Sequence, residues 1–391
     1  MKSFKISFFE LKKIFRNPGL FLLMIILPVI IAYLGTSFYP ENLLGNYKIG
    51  VYNEDNSFLG RFGFVFLRQF LKWDNAVELK SQEELQDYLK SKDFDSVLII
   101  PKGFLQNLKD YEETKLFLIP NPDRIQESMT VYTLLKTLFK ELSGIPDIKN
   151  GSTTEFLLKG GIGVDENRKA PNLELMVPDL NTGNIKTTNQ NNLGFKDIFT
   201  PSIAVIMIIL FSMIGVGNSI AHTKESGLLD IYRANGLEIK QFISFKFIAY
   251  FFIGLISSLM TWYLYRLFGT KSIGNELEVI IIIILSVLSF TTMGIFISSF
   301  TKTTKSASFM LTAITGTMIL FGDIIIPIPS DSKIKFISYI FPVKYAVESW
   351  RKISILGYHL NQIPWNLLIL ISFIIIFSVG SIILTTINQK K

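Results

Sequence analysis

The sequence has no cysteine and only two histidines, His222 and His359, in 391 residues. Disulfides, thiolate metal sites and cysteine nucleophiles are therefore excluded, and most zinc chemistry goes with them. Charge is scarce as well, at 18% of residues against about a quarter in ordinary soluble domains. No HExxH, GxSxG or Walker A sequence occurs, and the glycine-rich stretch Gly160 to Gly163 lacks the Gly-Lys-Ser/Thr that a phosphate loop requires. What the chain has in abundance is apolar: 49% hydrophobic residues and a mean hydropathy of +0.38, the composition of a membrane protein.

Long apolar stretches run over Leu20 to Phe38, Ser202 to Ala221, Phe242 to Phe268, Val279 to Phe300, Ala307 to Pro327 and Trp365 to Ile387. Each approaches or exceeds the roughly 20 residues that cross a bilayer core, so six spans are expected. The first is too long for a signal-peptide core and has no small-residue cleavage site at Tyr33-Leu34-Gly35, which keeps it in the mature protein. Lys246 and Arg266 fall near the ends of the third stretch, where long basic side chains are expected to reach the headgroups.

The net charge of +7 hides two unlike parts. Pro40 to Phe199 carries 19 basic and 23 acidic residues, so the positive excess lies in the apolar remainder, where it sets topology and is no nucleic-acid patch. Lys2, Lys5, Lys12, Lys13 and Arg16 precede the first span, and Lys224, Arg233, Lys240 and Lys246 flank the loop between the second and third. Lys302 and Lys305 follow the fourth, and Lys390 and Lys391 end the chain. The positive-inside rule puts all these segments, and both termini, in the cytoplasm. Residues 40–199 then face outward.

That outer segment reads as an α/β domain. Tyr47 to Tyr52 and Ser96 to Ile100 have strand patterns, as does Leu116 to Ile119; Phe58 to Leu71 and Asp123 to Leu142 have helical spacing. Ser81-Gln-Glu-Glu84 is a capping box that opens a helix to Lys90. Beyond Ser143 the pattern weakens, and the polar run Thr187 to Asn192 reads as loop.

Three places could carry function. In Met1 to Arg16, Phe4, Phe8, Leu11 and Phe15 share one helical stripe and Lys5, Lys12 and Arg16 another, which makes an amphipathic helix lying in the interface. The loop His222 to Lys240 sets Leu228, Leu229, Ile231 and Tyr232 among charges in a short helix that Asn235-Gly236 should end. Glu225 and Gly227 open that helix, where a carboxylate suits the positive end of the dipole. Periodicity leaves connector and partner-docking helix equally open. Asp323, beside Gly322 and before Pro327 and Pro329, is an acidic residue at the outer end of the fifth stretch; a solvated or capping role is favoured over ion handling.

The order of interfacial helix, span, large outer domain and five further spans resembles the permease subunit of bacterial type 2 ABC exporters, in the subfamily with an extended extracytoplasmic domain. The similarity rests on Phe9-Glu-Leu-Lys-Lys-Ile-Phe-Arg-Asn-Pro18, Pro28, Ile49-Gly-Val-Tyr-Asn-Glu-Asp55 and Leu98-Ile-Ile-Pro-Lys-Gly-Phe104. It continues through Glu225-Ser-Gly-Leu228 with Asn235-Gly236 and Lys246, then Pro327 to Pro329 and Phe341-Pro-Val-Lys-Tyr-Ala-Val-Glu-Ser-Trp-Arg351. Gly322-Asp323 departs from the family, which more often has an apolar or small residue after this glycine.

The resemblance implies an all-α six-helix transmembrane bundle with an inserted α/β extracytoplasmic domain: interfacial helix 1–17, first span 18–39, outer domain 40–199, and spans two to six within 200–391, with a coupling loop at 222–240 and an outer-leaflet segment at 327–360. It implies a non-catalytic chain in the bacterial plasma membrane that binds no cofactor itself. ATP would be hydrolysed by a separate ATP-binding cassette subunit, and a second permease chain, identical or not, would complete the pathway. Phe8, Leu11, Phe15, Glu225, Gly227, Leu228 and Leu229 would meet the ATPase, and Asp323 and Pro327 would border an outer gate. The implied cargo is hydrophobic or amphiphilic, such as an antibiotic, peptide or lipid. Sodium extrusion and a non-transporting receptor or secretion scaffold are the alternatives, and an intramembrane enzyme is disfavoured by the missing nucleophiles.

Overall fold

The computed structural model describes residues 47–54, 76–91, 94–104, 107, 115–142, 172–178, 185–188, 195–322, 324 and 335–389, together with Lys12 and Ile26. The chain divides into two compact units at Phe195 and Lys196.

The first unit is built on a six-stranded sheet of β1 (Ile49–Asn53), β2 (Ala76–Leu79), β3 (Ser96–Ile100), β4 (Lys115–Pro120), β5 (Asn172–Pro178) and β6 (Ile185–Thr188), in the order β2-β1-β3-β4-β5-β6. β1 runs parallel to β2 and β3, β4 parallel to β5, and the β3–β4 and β5–β6 pairs are antiparallel. Helix α1 (Gln82–Ser91) lays Leu85 and Tyr88 on Val97, Ile99 and Ile119. Gly50 permits this approach, since a Cβ there would stand 2.7 Å from the Tyr88 ring. Leu98 and Leu118, offset by one residue, point to the opposite face. Helix α2 (Ile125–Leu142) packs on β3, β4 and β5 and buries Met129, Tyr132 and Leu135.

The capping box at Ser81 forms with a variation: the Ser81 hydroxyl accepts from Glu84 N at 3.1 Å, while the Glu84 carboxylate takes the N–H of Lys80 at 2.8 Å. β5 and β6 correct the expectation of loops beyond Ser143. In β5 the alternation is masked because Glu174, itself buried, is held by Lys115 Nζ at 2.9 Å, so the strand is inward-facing at a charged position. The expected helix at 58–71 lies outside the described residues, as does the Gly160 to Gly163 stretch.

The second unit is helical. α3 (Phe195–Ile208), a π-helical segment (Ile209–Ile214) and α4 (Gly215–Glu225) follow one another without a break. Then come α5 (Leu228–Ala234), α6 (Ile239–Leu267), α7 (Glu276–Ser299), α8 (Thr304–Phe321), α9 (Lys335–Ser338), α10 (Pro342–Leu356) and α11 (Pro364–Gln389). Among the described residues four helices are long and apolar enough to cross a membrane: Asp197–Glu225, Ile239–Leu267, Glu276–Ser299 and Pro364–Leu384. Four of the six expected stretches thus coincide with such helices among these residues. α8 has 18 residues, about 27 Å of helix, and its first turn spends positions on Thr304, Lys305 and Ser306. The stretch 20–38, apart from Ile26, lies outside the described residues.

The four helices are used unequally. Of the most apolar window of Asp197–Glu225, 83% is buried within the chain, against 11% for Pro364–Leu384. The first is thus the axis of the bundle. α11 presents Leu368, Ile371, Ile375, Val379 and Ile382 outward at helical spacing, a stripe suited to lipid or another apolar surface.

Candidate functional site

The axial helix is interrupted halfway by its π segment, where no proline or glycine marks the sequence Ile-Leu-Phe-Ser-Met-Ile. Such wide turns are rare and cluster at functional positions. Two glycines on neighbouring helices accommodate it. A Cβ on Gly254 of α6 would stand 2.7 Å from Ser212 Cβ, and one on Gly294 of α7 would stand 2.3 Å from Met213 O. Between these contacts the hydroxyls of Ser212 and Thr291 share a hydrogen bond.

Below the π segment, α4 is held by polar side chains to three helices. Lys246 Nζ of α6 donates to Ser219 Oγ at 2.8 Å, and Ser308 Oγ of α8 donates to Asn218 Oδ1 at 2.9 Å. Lys224 Nζ donates to the carbonyls of Ser298 and Thr301, at 2.7 and 3.3 Å, where α7 ends. The Glu225 carboxylate accepts from Thr304 N at 2.9 Å and from the Thr304 hydroxyl, where α8 begins. A cation on helix-end carbonyls and a carboxylate on a first-turn N–H both complement the helix dipole.

α4 ends at Ser226, and Gly227 turns the chain with φ of +70°, a backbone angle that favours glycine. α5 follows with no buried residue. Leu228, Ile231 and Tyr232, at helical spacing, are 39, 57 and 37% exposed, and Leu229 is half-buried. Asn235 and Gly236 end the helix as expected, with Gly236 at φ of +79° donating to Arg233 O at 2.9 Å. α6 restarts at Glu238, where the Glu238 N–H is taken by Gln241 Oε1 at 3.3 Å.

Of the residues singled out from sequence, the structure gathers Glu225, Gly227, Leu228 and Leu229 at this one end of the axial helix. Phe8, Leu11, Phe15, Asp323 and Pro327 lie outside the described residues. Two expectations need correction. Glu225 caps α8 and not α5, because Gly227 places the start of α5 beyond it. Lys246 is 5% exposed and bonded inside the bundle, so it does not reach outward to headgroups. Serine at 219 supplies the acceptor that makes this burial tolerable.

A second polar centre lies at the other end of the axial helix and was missed as a site. Arg351, buried on α10, donates through Nε to Ile198 O at 3.2 Å and through Nη2 to Ser202 Oγ at 2.7 Å and Ile324 O at 2.9 Å. Lys352 pairs with Glu348 at 2.7 Å, and Lys344 Nζ lies 3.6 Å from the Tyr339 ring centroid. Burial first, then Glu348 and Tyr339, raise the Tyr345 phenol above its ordinary pKa. Sequence alone had one signal for this centre: three basic residues against one acidic residue, Glu348, on a helix whose other side chains are mostly apolar or small. Among the described residues no group of three acidic or histidine side chains is arranged to hold a metal ion.

An axial apolar helix, a polar-tied loop helix and a separate α/β unit invite comparison with known transport proteins. The description "ABC-2 family transporter protein" matches residues 18–383, most of the chain. The chain belongs to the ABC-2 transporter family. No curated protein matches it. Among solved structures, the crystal structure of a domain of an ABC type-2 transporter from Thermotoga maritima MSB8 is 14% identical and covers 36% of this chain and 91% of its own length, with a TM-score of 0.24, too low to carry an argument. As an ABC-2 permease with an inserted soluble domain, the chain is a multi-pass membrane protein.

Proposed function

We propose that this ABC-2 permease exports a hydrophobic or amphiphilic substrate, such as an antibiotic, peptide or lipid, across the bacterial plasma membrane. ATP is hydrolysed by a separate ATP-binding cassette subunit that docks on α5, and a second permease chain completes the pathway. The observation that carries this reading is the exposed apolar face of Leu228, Ile231 and Tyr232, on a helix with no buried residue whose flanking α4 is tied to α6, α7 and α8. A loop that only joins two spans has no use for such a face in water, and a partner surface that covers it gains its burial.

In this arrangement the six-span topology holds, with both termini and α5 cytoplasmic and residues 40–199 outside, as the basic residues of the alternate loops require. The interfacial helix with Phe8, Leu11 and Phe15 contacts the same ATPase. Asp323 and Pro327 border the outer gate. Permease and ATPase must differ in their mutual affinity between the inward- and outward-facing states, since contact alone shifts no equilibrium. Co-purification of the permease with its ATPase, followed by ATP hydrolysis in liposomes, tests the proposal. A permease that retains no ATPase and supports no hydrolysis contradicts it.

A further inference from the structure

We infer that Lys224 and Glu225 are positioning residues that make the 300–303 turn, and with it the ends of α7 and α8, follow the α5 loop when that loop is displaced. The inference deepens the permease reading and rests on it. α5 is joined covalently to α4 and α6, so at this end of the bundle a push on α5 reaches α7 and α8 through noncovalent contacts.

Besides the apolar packing of α4, two successive residues supply charged contacts at the near ends of both helices. Lys224 takes the carbonyls that close α7, and Glu225 takes the first N–H and hydroxyl of α8, so one peptide step grips both sides of the same turn. All of these bonds are charge-assisted, and each sits on a helix end whose dipole favours it. The Asn218–Ser308 bond at 2.9 Å adds a third tie two turns higher. Above them the π segment at Ile209–Ile214 interrupts the regular hydrogen-bond ladder of the axial helix, so the half that carries the ties is set off from α3. The 11 residues of α4 give a lever of about 16 Å. A displacement of α5 is thereby delivered to two further helices at their tips, where it turns them most.

The chain lacks cysteine, so spin labels can be placed at will. Labels on Ser226→Cys and Lys302→Cys report the distance between loop and turn in the full chain, reconstituted in lipid with its ATPase. With Lys224 and Glu225 in place, one narrow distance is expected, the same without nucleotide and after trapping with ADP and vanadate. With Lys224→Ala and Glu225→Ala together, the distribution should broaden. ATP hydrolysis by the complex should fall about tenfold, as loss of charge-assisted bonds in a transmission step implies, while the amount of ATPase bound stays within about twofold. Glu225→Gln, which keeps an acceptor for Thr304 N, should recover most of the hydrolysis, whereas a merely stabilising cap would not distinguish hydrolysis from binding.

A distance that changes between the two states with both residues present overturns the inference. So does a narrow distribution in the double variant, or hydrolysis that survives it. If the double variant fails to insert, the same distances measured with Thr304→Val, which removes one donor only, decide the matter by the same criteria. If the chain binds no ATPase, the permease proposal fails, and the nucleotide-free distances alone still show whether the two residues hold the loop to the turn.

Discussion

Arg351 and Ser202 join two segments far apart in sequence: the guanidinium donates to the serine hydroxyl at 2.7 Å, and that hydroxyl in turn donates to Ile324 O at 2.6 Å. Both groups are buried, and Arg351 adds a charged donor to the carbonyls of Ile198 and Ile324, the second of which it shares with Ser202. Arg351→Met should lower stability by about 2 to 3 kcal/mol, because it removes buried hydrogen bonds from a charged donor. The check is the thermal unfolding midpoint of the detergent-solubilised chain, where Arg351→Lys should lie between the two. An unchanged midpoint for Arg351→Met would show that this end of the bundle does not rely on the guanidinium.

Two helical glycines should respond in opposite directions to the same change. Gly294→Ala puts a Cβ 2.3 Å from a backbone carbonyl at the π segment, so α7 must move away from the axial helix. Gly316→Ala on α8 meets nothing within 4 Å and should stabilise by roughly 0.5 to 1 kcal/mol through helix propensity. A midpoint that rises for both would mean that the π segment packs less tightly than the structure has it, and one that falls for both would mean that the space beside Gly316 is filled.

The proposed topology has its own test. Protease added to intact spheroplasts should cleave within residues 40–199 and spare the 222–240 loop. Permeabilised cells should lose both. Cleavage of the 222–240 loop from outside would invert the orientation and remove the export reading.

How much of this was legible beforehand can be judged residue by residue. β1, β3 and β4 could be read because apolar runs such as Ser96 to Ile100 are short, buried and bounded by turn residues. β5 could not, because Glu174 breaks the apolar run and its partner Lys115 is far away in the chain. Leu228 and Gly227 could be found because an apolar helix face and a glycine break are local patterns. The bonds of Lys224 to Ser298 and of Glu225 to Thr304 are not local: their partners lie 74 and 79 positions on, and charge near a span end predicts snorkelling just as well. The π segment had no sequence mark at all, since what stabilises it is supplied by Gly254, Thr291 and Gly294 on other helices.

Docking of an ATPase on the exposed face of α5 is tested most directly by the amount of ATPase retained when the permease is purified from membranes. Leu228→Asp and Ile231→Asp place charges on that face without touching a buried residue, so insertion and abundance should stay near the parent's. Retained ATPase should fall at least about tenfold for the pair, as expected when charges enter an apolar contact. If both variants retain as much ATPase as the parent, α5 is a connector and the docking surface lies elsewhere.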